Sequence, residues 1–151
     1  MHISAKVDYA CRALCTLAAG EGAALTAEEL AKAQDLPVRF LRAILNELRR
    51  GGIVASQRGN EGGYRLARAA GEISLGEVFR QLEGPLAEVR NERPEVGFYE
   101  GPAEHLQAVW VAVRASLRAV LDEVTLADVV SGELPGPVRS LIDNPDAWRP
   151  R

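Results

Sequence analysis

The segment from Pro37 to Arg50 constrains the fold most strongly, because its residue types separate into two faces. At about 100° per residue, one face is apolar and consists of Phe40, Leu41, Ile44, Leu45 and Leu48. The opposite face, within an arc of about 100°, carries Arg39, Arg42, Asn46, Arg49 and Arg50. Gly51 and Gly52 then end the pattern. We therefore predict a helix with one face in a core and a basic face in solvent.

The residues on either side of this helix predict a winged helix-turn-helix. Thr26 and Glu29 form a capping box that opens a short helix. The turn Asp35-Leu36-Pro37 follows, with proline at the first position of the next helix. Two short strands are expected at 53–56 and 64–66, joined by the loop 57–63 with its three glycines. The predicted class is mainly α with a small two-stranded β-wing.

The charge distribution favours nucleic acid as the partner. The whole chain has a formal net charge of −3. Residues 39–68 nevertheless carry seven arginines against two acids, whereas residues 84–151 carry seven basic and eleven acidic side chains. A basic block inside an acidic chain is a local footprint suited to phosphate binding.

The chemistry of the basic block fits double-stranded DNA. Arg39 and Arg42 lie near the start of the predicted helix, where recognition helices meet base edges in the major groove. Arg49 and Arg50 suit phosphate contacts, and Arg58 in the wing suits a narrow minor groove. The residues predicted to contact DNA are Thr26, Arg39, Arg42, Asn46, Arg49, Arg50, Arg58, Gly59, Asn60, Gly62 and Tyr64. A charged helical face can also be a merely solvated one, and a winged helix can serve as a protein-interaction module without specific DNA binding.

Motifs along most of the chain resemble the Rrf2 family of bacterial transcriptional regulators. They include Ile3-Ser4 with Asp8-Tyr9-Ala10, Phe40-Leu41 with Ile44-Leu45, Arg58-Gly59 with Gly62-Gly63-Tyr64-Arg65-Leu66, Ile73-Ser74-Leu75 with Glu77-Val78, Trp110, and Thr125-Leu126-Ala127-Asp128. The resemblance implies a homodimer joined mainly by the long helix, with two winged domains on an imperfect palindrome, and we expect it to act as a repressor. It also places Arg39 and Arg42 at base-reading positions and Arg58 at the wing position. Because other members often have uncharged or acidic residues at the first two positions, we expect a guanine-containing half-site here.

Two further helices complete the predicted N-terminal domain, residues 1–83. The first has an apolar stripe that includes Val7 and Leu14, with Ser4 as its N-cap and Gly20 as its stop. The other begins with a second capping box, Ser74-Leu75-Gly76-Glu77. It directs Val78, Phe79 and Leu82 inward, and Gly84 and Pro85 end it.

The C-terminal half predicts a loop at 84–101, a dimerisation helix with a short following helix at 102–133, and a partly ordered tail at 134–151. The long helix is expected from Pro102 to about Val124. Heptad spacing defines the predicted dimerisation residues Leu106, Trp110, Val113, Leu117, Val120 and Val124. On its far side the same spacing is repeated by Ala108, Ala112, Ala115 and Ala119. We expect this helix to pack on both sides, against its own domain and against a partner.

No cofactor or metal site is predicted. Some members of the family hold an iron–sulfur cluster on three cysteines before the long helix, but residues 86–101 contain none. Glu104 stands about where the last cysteine would be, and Gln107 where some members have a ligand histidine. Cys11 and Cys15 are expected to be structural, since a redox sensor needs an exposed thiol of low pKa.

The regulatory signal stays open between a small-molecule effector, a protein partner and the protein's own concentration. Phe98 and Tyr99 either anchor their loop to the core or close over a ligand. Motifs for an enzyme are missing from the sequence, including a phosphate-binding glycine loop before a helix and a nucleophile elbow. No apolar run is long enough for a membrane helix and the N-terminus is unlike a signal peptide, so we expect a cytoplasmic protein.

Overall fold

The computed structural model describes residues 2–59 and 62–150. Over these residues the chain is mainly helical with one two-stranded sheet, which confirms the predicted fold class. The elements in chain order are α1 (Ala5–Ala19), α2 (Ala27–Gln34), α3 (Val38–Arg50), β1 (Val54–Gln57), β2 (Gly63–Leu66), α4 (Leu75–Glu83), α5 (Leu106–Leu121), α6 (Leu126–Ser131) and α7 (Gly136–Ile142).

Helices α1 to α4, strand β1 and α6 share one hydrophobic core. Its fully buried large side chains are Leu14, Leu17, Leu30, Leu41, Ile44, Leu45, Leu48, Ile53, Ile73, Leu126, Val7 and Val54. Local capping defines where the helices begin: the Ser4 hydroxyl accepts a hydrogen bond from the Val7 amide at 3.3 Å, and Thr26 forms the predicted capping box with Glu29. Each cap satisfies backbone N–H groups that the first helical turn leaves unpaired.

The wing is an antiparallel pair in which Val54 lies opposite Leu66 and Gln57 opposite Gly63. The pair begins and ends within one residue of the predicted strands. Tyr64 also makes two backbone hydrogen bonds with Leu25, of 2.9 and 2.7 Å. These bonds connect the wing to the segment just before α2.

Three local details differ from the sequence predictions. Pro37 is the N-cap of α3 and not its first helical residue. Phe40, assigned to the core, is 42% exposed and meets the edge of the Tyr9 ring at a centroid distance of 5.9 Å. At the start of α4, Ser74 caps the Glu77 amide as expected, but the Glu77 carboxylate pairs with Arg68 and does not return to Ser74.

The C-terminal half differs more. Residues 84–105 contain two short 3-10 turns, Pro94–Val96 and Gly101–Ala103. Helix α5 begins later and ends earlier than predicted. Val124 lies beyond α5 and is 3% exposed, which makes its assignment to a dimer surface wrong. After α5 the chain returns to the N-terminal core, where the Leu126 amide bonds to the Ile73 carbonyl at 3.0 Å.

The tail contains a helix, α7, that the sequence did not predict. Its Val138 side chain is buried. In the described ranges, no helix is both long and apolar enough to cross a membrane.

Candidate nucleic-acid interface

Helix α3 presents its polar face to solvent, as predicted. Four side chains on its other face are buried: Leu41, Ile44, Leu45 and Leu48. The five polar residues assigned to DNA contact on this helix, Arg39, Arg42, Asn46, Arg49 and Arg50, are all exposed. Because the burial of the leucines fixes the rotation of α3, the arginine face is held outward as part of a packed element.

A groove of about 440 Å³ lies between α3, the start of α2 and the wing. Its lining includes six of the residues predicted to contact DNA, namely Thr26, Arg42, Asn46, Gly59, Gly62 and Tyr64. Arg39, Arg49, Arg50 and Arg58 lie outside this lining but are exposed. Asn60, the remaining predicted residue, falls outside the described part of the chain. The fold thus brings together residues that are up to 38 positions apart in the sequence.

Two glycines shape the wing beside this groove. Gly59 has φ +112°, a conformation that side-chain-bearing residues rarely adopt. Gly63 packs against backbone: a Cβ there would lie 2.5 Å from the carbonyl oxygen of Leu25. A larger residue at position 63 would therefore push the wing away from the start of α2.

The Thr26 hydroxyl is already engaged. It accepts a hydrogen bond from the Glu29 amide at 3.2 Å and donates to the Glu29 carboxylate at 2.9 Å. The hydrogen bonds from the Thr26 backbone and side chain lower the pKa of Glu29. Thr26 therefore acts first as a cap, and its DNA contact, if made, would share that hydroxyl.

An ion pair between Arg42 and Glu28 is the main feature of the interface that sequence reasoning missed. The two side chains are 58% and 56% exposed and connect α3 to the first turn of α2. Glu28 also lines the groove. One of the two arginines expected to read bases is therefore neutralised in the free chain.

The rear of α3 is tied to two other helices. Lys6 of α1 approaches the Glu47 carboxylate at 2.8 Å, and the Gln81 side chain of α4 donates to the Glu47 carbonyl at 3.2 Å. These contacts are half-buried or exposed, so each contributes modestly to stability. Their geometric effect is to fix the position of α3 relative to α1 and α4.

The donors present do not fit an iron–sulfur cluster of the family type. Clusters require several thiolate or imidazole ligands, and in the described part of the chain no three His, Cys, Asp or Glu side chains come together as a metal site. Gln107 donates its side-chain N–H to the Glu95 carbonyl at 2.8 Å, so it holds the loop. Glu104 lies beside His105, whose side chain is 91% exposed.

The two cysteines are poor thiolate donors. Burial, with smaller effects from Cys15 and Asp8, raises the pKa of Cys11 to about 12. Burial also raises the pKa of Cys15. Both thiols are therefore protonated near neutral pH, which disfavours metal binding and redox reactivity.

The sequence is similar to known regulators over most of its length. The family model described as Rrf2, iron-dependent transcriptional regulator, matches residues 3–132. An HTH-type transcriptional regulator of Mycobacterium tuberculosis is 48% identical over 149 residues, which cover 95% of this chain and 90% of the relative. The HTH-type transcriptional regulator CymR of Bacillus subtilis is 34% identical over 132 residues, covering 87% of this chain and 91% of CymR.

Solved structures agree with the sequence matches. The structure of B. subtilis CymR, described as a global cysteine regulator, has a TM-score of 0.73 at 34% identity and covers 87% of this chain and 98% of its own. IscR of T. potens has a TM-score of 0.67 at 31% identity and covers 100% of this chain and 93% of its own. The shared fold, the arginine face of α3, the wing and these matches together show that the chain belongs to the Rrf2 family of transcriptional regulators.

Proposed function

We propose that the protein is a sequence-specific repressor that binds a palindromic operator as a homodimer. The observation that carries the proposal is the groove between α3 and the wing, which collects six of the predicted DNA contacts beside exposed arginines. A surface used only for protein recognition would be expected to show apolar or acidic residues in place of those arginines. As a binder of chromosomal DNA, the protein would act in the cytoplasm.

In this proposal α3 enters the major groove with its N-terminal half toward the bases. Arg39 and Arg42 then reach guanine edges, each through a bidentate pair of hydrogen bonds. Asn46 lines the groove one turn further along. Arg49 and Arg50, exposed near the C-terminal end of α3, contact phosphates and set the position of the helix.

The wing follows the adjacent minor groove. Arg58 is exposed on the loop that joins β1 to β2, and a narrow minor groove has the negative potential that attracts arginine. Gly59 and Gly62 let the wing backbone approach the sugar-phosphate chain closely, with Asn60 between them in sequence. Tyr64 connects the wing to Leu25, so wing and helix approach DNA as one body.

Helix α5 supplies the dimer interface. None of its 16 residues is buried in the single chain, although it is rich in apolar side chains. Val109 and Val113 are 50% and 45% exposed. The proposed interface consists of Leu106, Trp110, Val113, Leu117 and Val120, with Val124 left out. A second copy of α5 would remove this surface from water at about 25 cal/mol per Å² of apolar area.

A dimer of this kind covers two major-groove segments about one helical turn apart. It thereby excludes other proteins from the same DNA, which is the basis for proposing repression. The iron-dependence in the family's description is not carried over, since the donor set does not fit a cluster. A small-molecule effector is proposed in its place.

Selection of bound duplexes from a random pool tests the proposal most directly. We expect an imperfect palindrome that contains guanine, with half-sites about 10 base pairs apart. Anisotropy titrations of the recovered duplex at several salt concentrations should show affinity falling steeply with salt, because phosphate binding releases counterions. A pool without any enriched sequence, together with no salt-sensitive duplex binding, would favour a protein-interaction module.

A further inference from the structure

A second cavity, of about 500 Å³, lies behind the DNA-binding surface between α4, residues 84–95 and α5. Its lining carries four arginines, Arg80, Arg93, Arg114 and Arg118, and two acids, Glu95 and Asp122. Four positive charges against two negative ones leave a net charge of +2 in the lining. The whole chain has a net charge of −3, so this positive excess is local to the cavity.

The two acids leave part of the positive charge and several N–H donors of the four arginines unpaired. Asp122 is shared, with Arg80 at 2.7 Å from one carboxylate oxygen and Arg118 at 3.4 Å from the other. Arg93 has no carboxylate within 4.0 Å among the described residues. Each guanidinium has five N–H donors, so several donors in this cavity remain available to a ligand.

Glu95 is held in its charged form. Arg114 pairs with Glu95, and a backbone hydrogen bond together with Arg114 lowers the pKa of Glu95. Glu95 is therefore ionised at neutral pH and already counted against the arginines. The excess of two positive charges persists across the physiological pH range, because arginine does not deprotonate there.

The rest of the cavity wall is apolar. Pro85, Leu86 and Ala87 line it, and Leu86 is buried. The volume lies within the roughly 300–1,000 Å³ found for small-molecule sites. Arginine pairs bind carboxylate and phosphate groups through two parallel hydrogen bonds.

We propose that this cavity binds a small organic dianion, a dicarboxylate or a phosphate monoester with a short apolar part. The regulatory role of the site rests on the proposed function, in which a small molecule controls DNA binding. The site itself rests only on the cavity, its four arginines and its apolar wall.

The position of the cavity gives the ligand a route to α3. Arg80 belongs to α4, and its partner Asp122 follows the end of α5. Gln81, the next residue of α4, donates to the Glu47 carbonyl of α3 at 3.2 Å. A dianion that competes with Asp122 for Arg80 and Arg118 therefore acts on the helix that supports α3 from behind.

Calorimetric titration of the full chain tests the site. Succinate and propyl phosphate are the two dianion probes, with acetate and succinamide as monoanionic and neutral counterparts, at constant ionic strength. We expect saturable binding of at least one dianion, at least about tenfold tighter than either counterpart, because the loss of one charge-assisted bidentate contact has about this effect. Absence of binding by either dianion at about 10 mM would overturn the proposal.

Variants locate the binding. Arg118→Gln and Arg93→Gln should each weaken dianion binding about tenfold, whereas Arg139→Gln, on α7 and outside the lining, should leave it unchanged. Arg93 makes no ion pair with the described residues, so its variant remains informative even if Arg118→Gln destabilises the chain. Equal affinity of Arg93→Gln and the unaltered protein would contradict the assigned site.

A second measurement separates this proposal from the proposed function. Duplex affinity is compared with and without a saturating concentration of the bound dianion, and we expect a change of about fivefold or more. Dianion binding with unchanged duplex affinity would overturn the effector role. Failure of every duplex to bind would instead contradict the proposed function, while calorimetry would still decide whether the site exists.

Discussion

Helices α3 and α5 are similar in length and both carry large apolar side chains, but they differ in how many of these the single chain buries. Of the 13 residues in α3, four are buried, and all four are leucine or isoleucine. Of the 16 residues in α5, none is buried. The apolar face of α3 is completed by the core of its own chain, whereas that of α5 is not.

This difference indicates that the two helices suit different kinds of partner. Because α3 has already buried its apolar residues, the face that remains is polar and suits a charged, hydrated partner such as DNA. The exposed apolar residues of α5 suit a dry interface with a second copy. Folding of the winged core should therefore be independent of protein concentration, and stabilisation of α5 should depend on it.

Alanine substitutions in α3 and α5 should show the largest difference between the two helices, measured as the change in the free energy of unfolding. Leu45→Ala removes a fully buried side chain of α3 and should lower the free energy of unfolding by about 2–5 kcal/mol. Val113→Ala in α5 should have a smaller effect that fades as the protein is diluted. Urea denaturation at two protein concentrations measures both. A loss for Val113→Ala that does not depend on concentration would show that α5 is completed within one chain.

A charge on α5 should have the next largest effect. Val113→Asp places a carboxylate in the proposed dry interface and should raise the dimer dissociation constant about 100-fold, or ~3 kcal/mol. Sedimentation or light scattering follows the change in mass, and circular dichroism should show an unchanged fold. Ser140→Asp on exposed α7 is the matched control. If Val113→Asp stays dimeric, the interface lies elsewhere.

Replacement of two arginines of α3 should weaken DNA binding in two different ways. Arg42→Ala should cost about 1–3 kcal/mol and relax the sequence preference at one base pair, because its proposed contact is to a base edge. Arg49→Ala should weaken binding to all sequences alike and reduce the salt slope by about one, as expected of a phosphate contact.

Anisotropy titrations on operator and scrambled duplexes distinguish the two behaviours. An Arg42→Ala protein with unchanged sequence preference would contradict both the base contact and the guanine-containing half-site. If Arg49→Ala altered preference at a single base pair, the division of α3 into a reading end and a phosphate end would be wrong.

What the sequence predicted well was local. The caps at Ser4, Thr26 and Ser74 were found because each depends on residues no more than three positions away. The apolar side of α3 was also correct for four of its five residues, because helical periodicity is a property of a short window. Phe40 was assigned inward since only its position on the helix was considered, and its contact with Tyr9 comes from a different helix.

What the sequence predicted poorly depends on tertiary packing. The heptad pattern extended α5 to Val124, because spacing alone cannot show that the helix ends at Leu121 and that Val124 is buried within the single chain. Helix α7 was missed, since its seven residues include two of the least helix-prone types, Gly136 and Pro137, in its first turn. Six residues that line the groove were predicted to contact DNA, but the Glu28–Arg42 pair was missed because it joins residues 14 positions apart on two helices.

Removal of the Glu28–Arg42 ion pair should have the smallest effect among these substitutions. Glu28→Gln frees Arg42 and removes a negative charge from the groove, so affinity for any duplex should rise by less than about 1 kcal/mol, or up to about fivefold. The gain should be largest on the operator, because there Arg42 must leave Glu28 to contact a base, whereas non-specific DNA leaves the pair intact. Glu123→Gln, exposed after the end of α5, removes the same charge away from the groove and should change affinity little. Equal gains for the two variants would mean that net charge alone, and not the release of Arg42, sets the affinity of the α3 face.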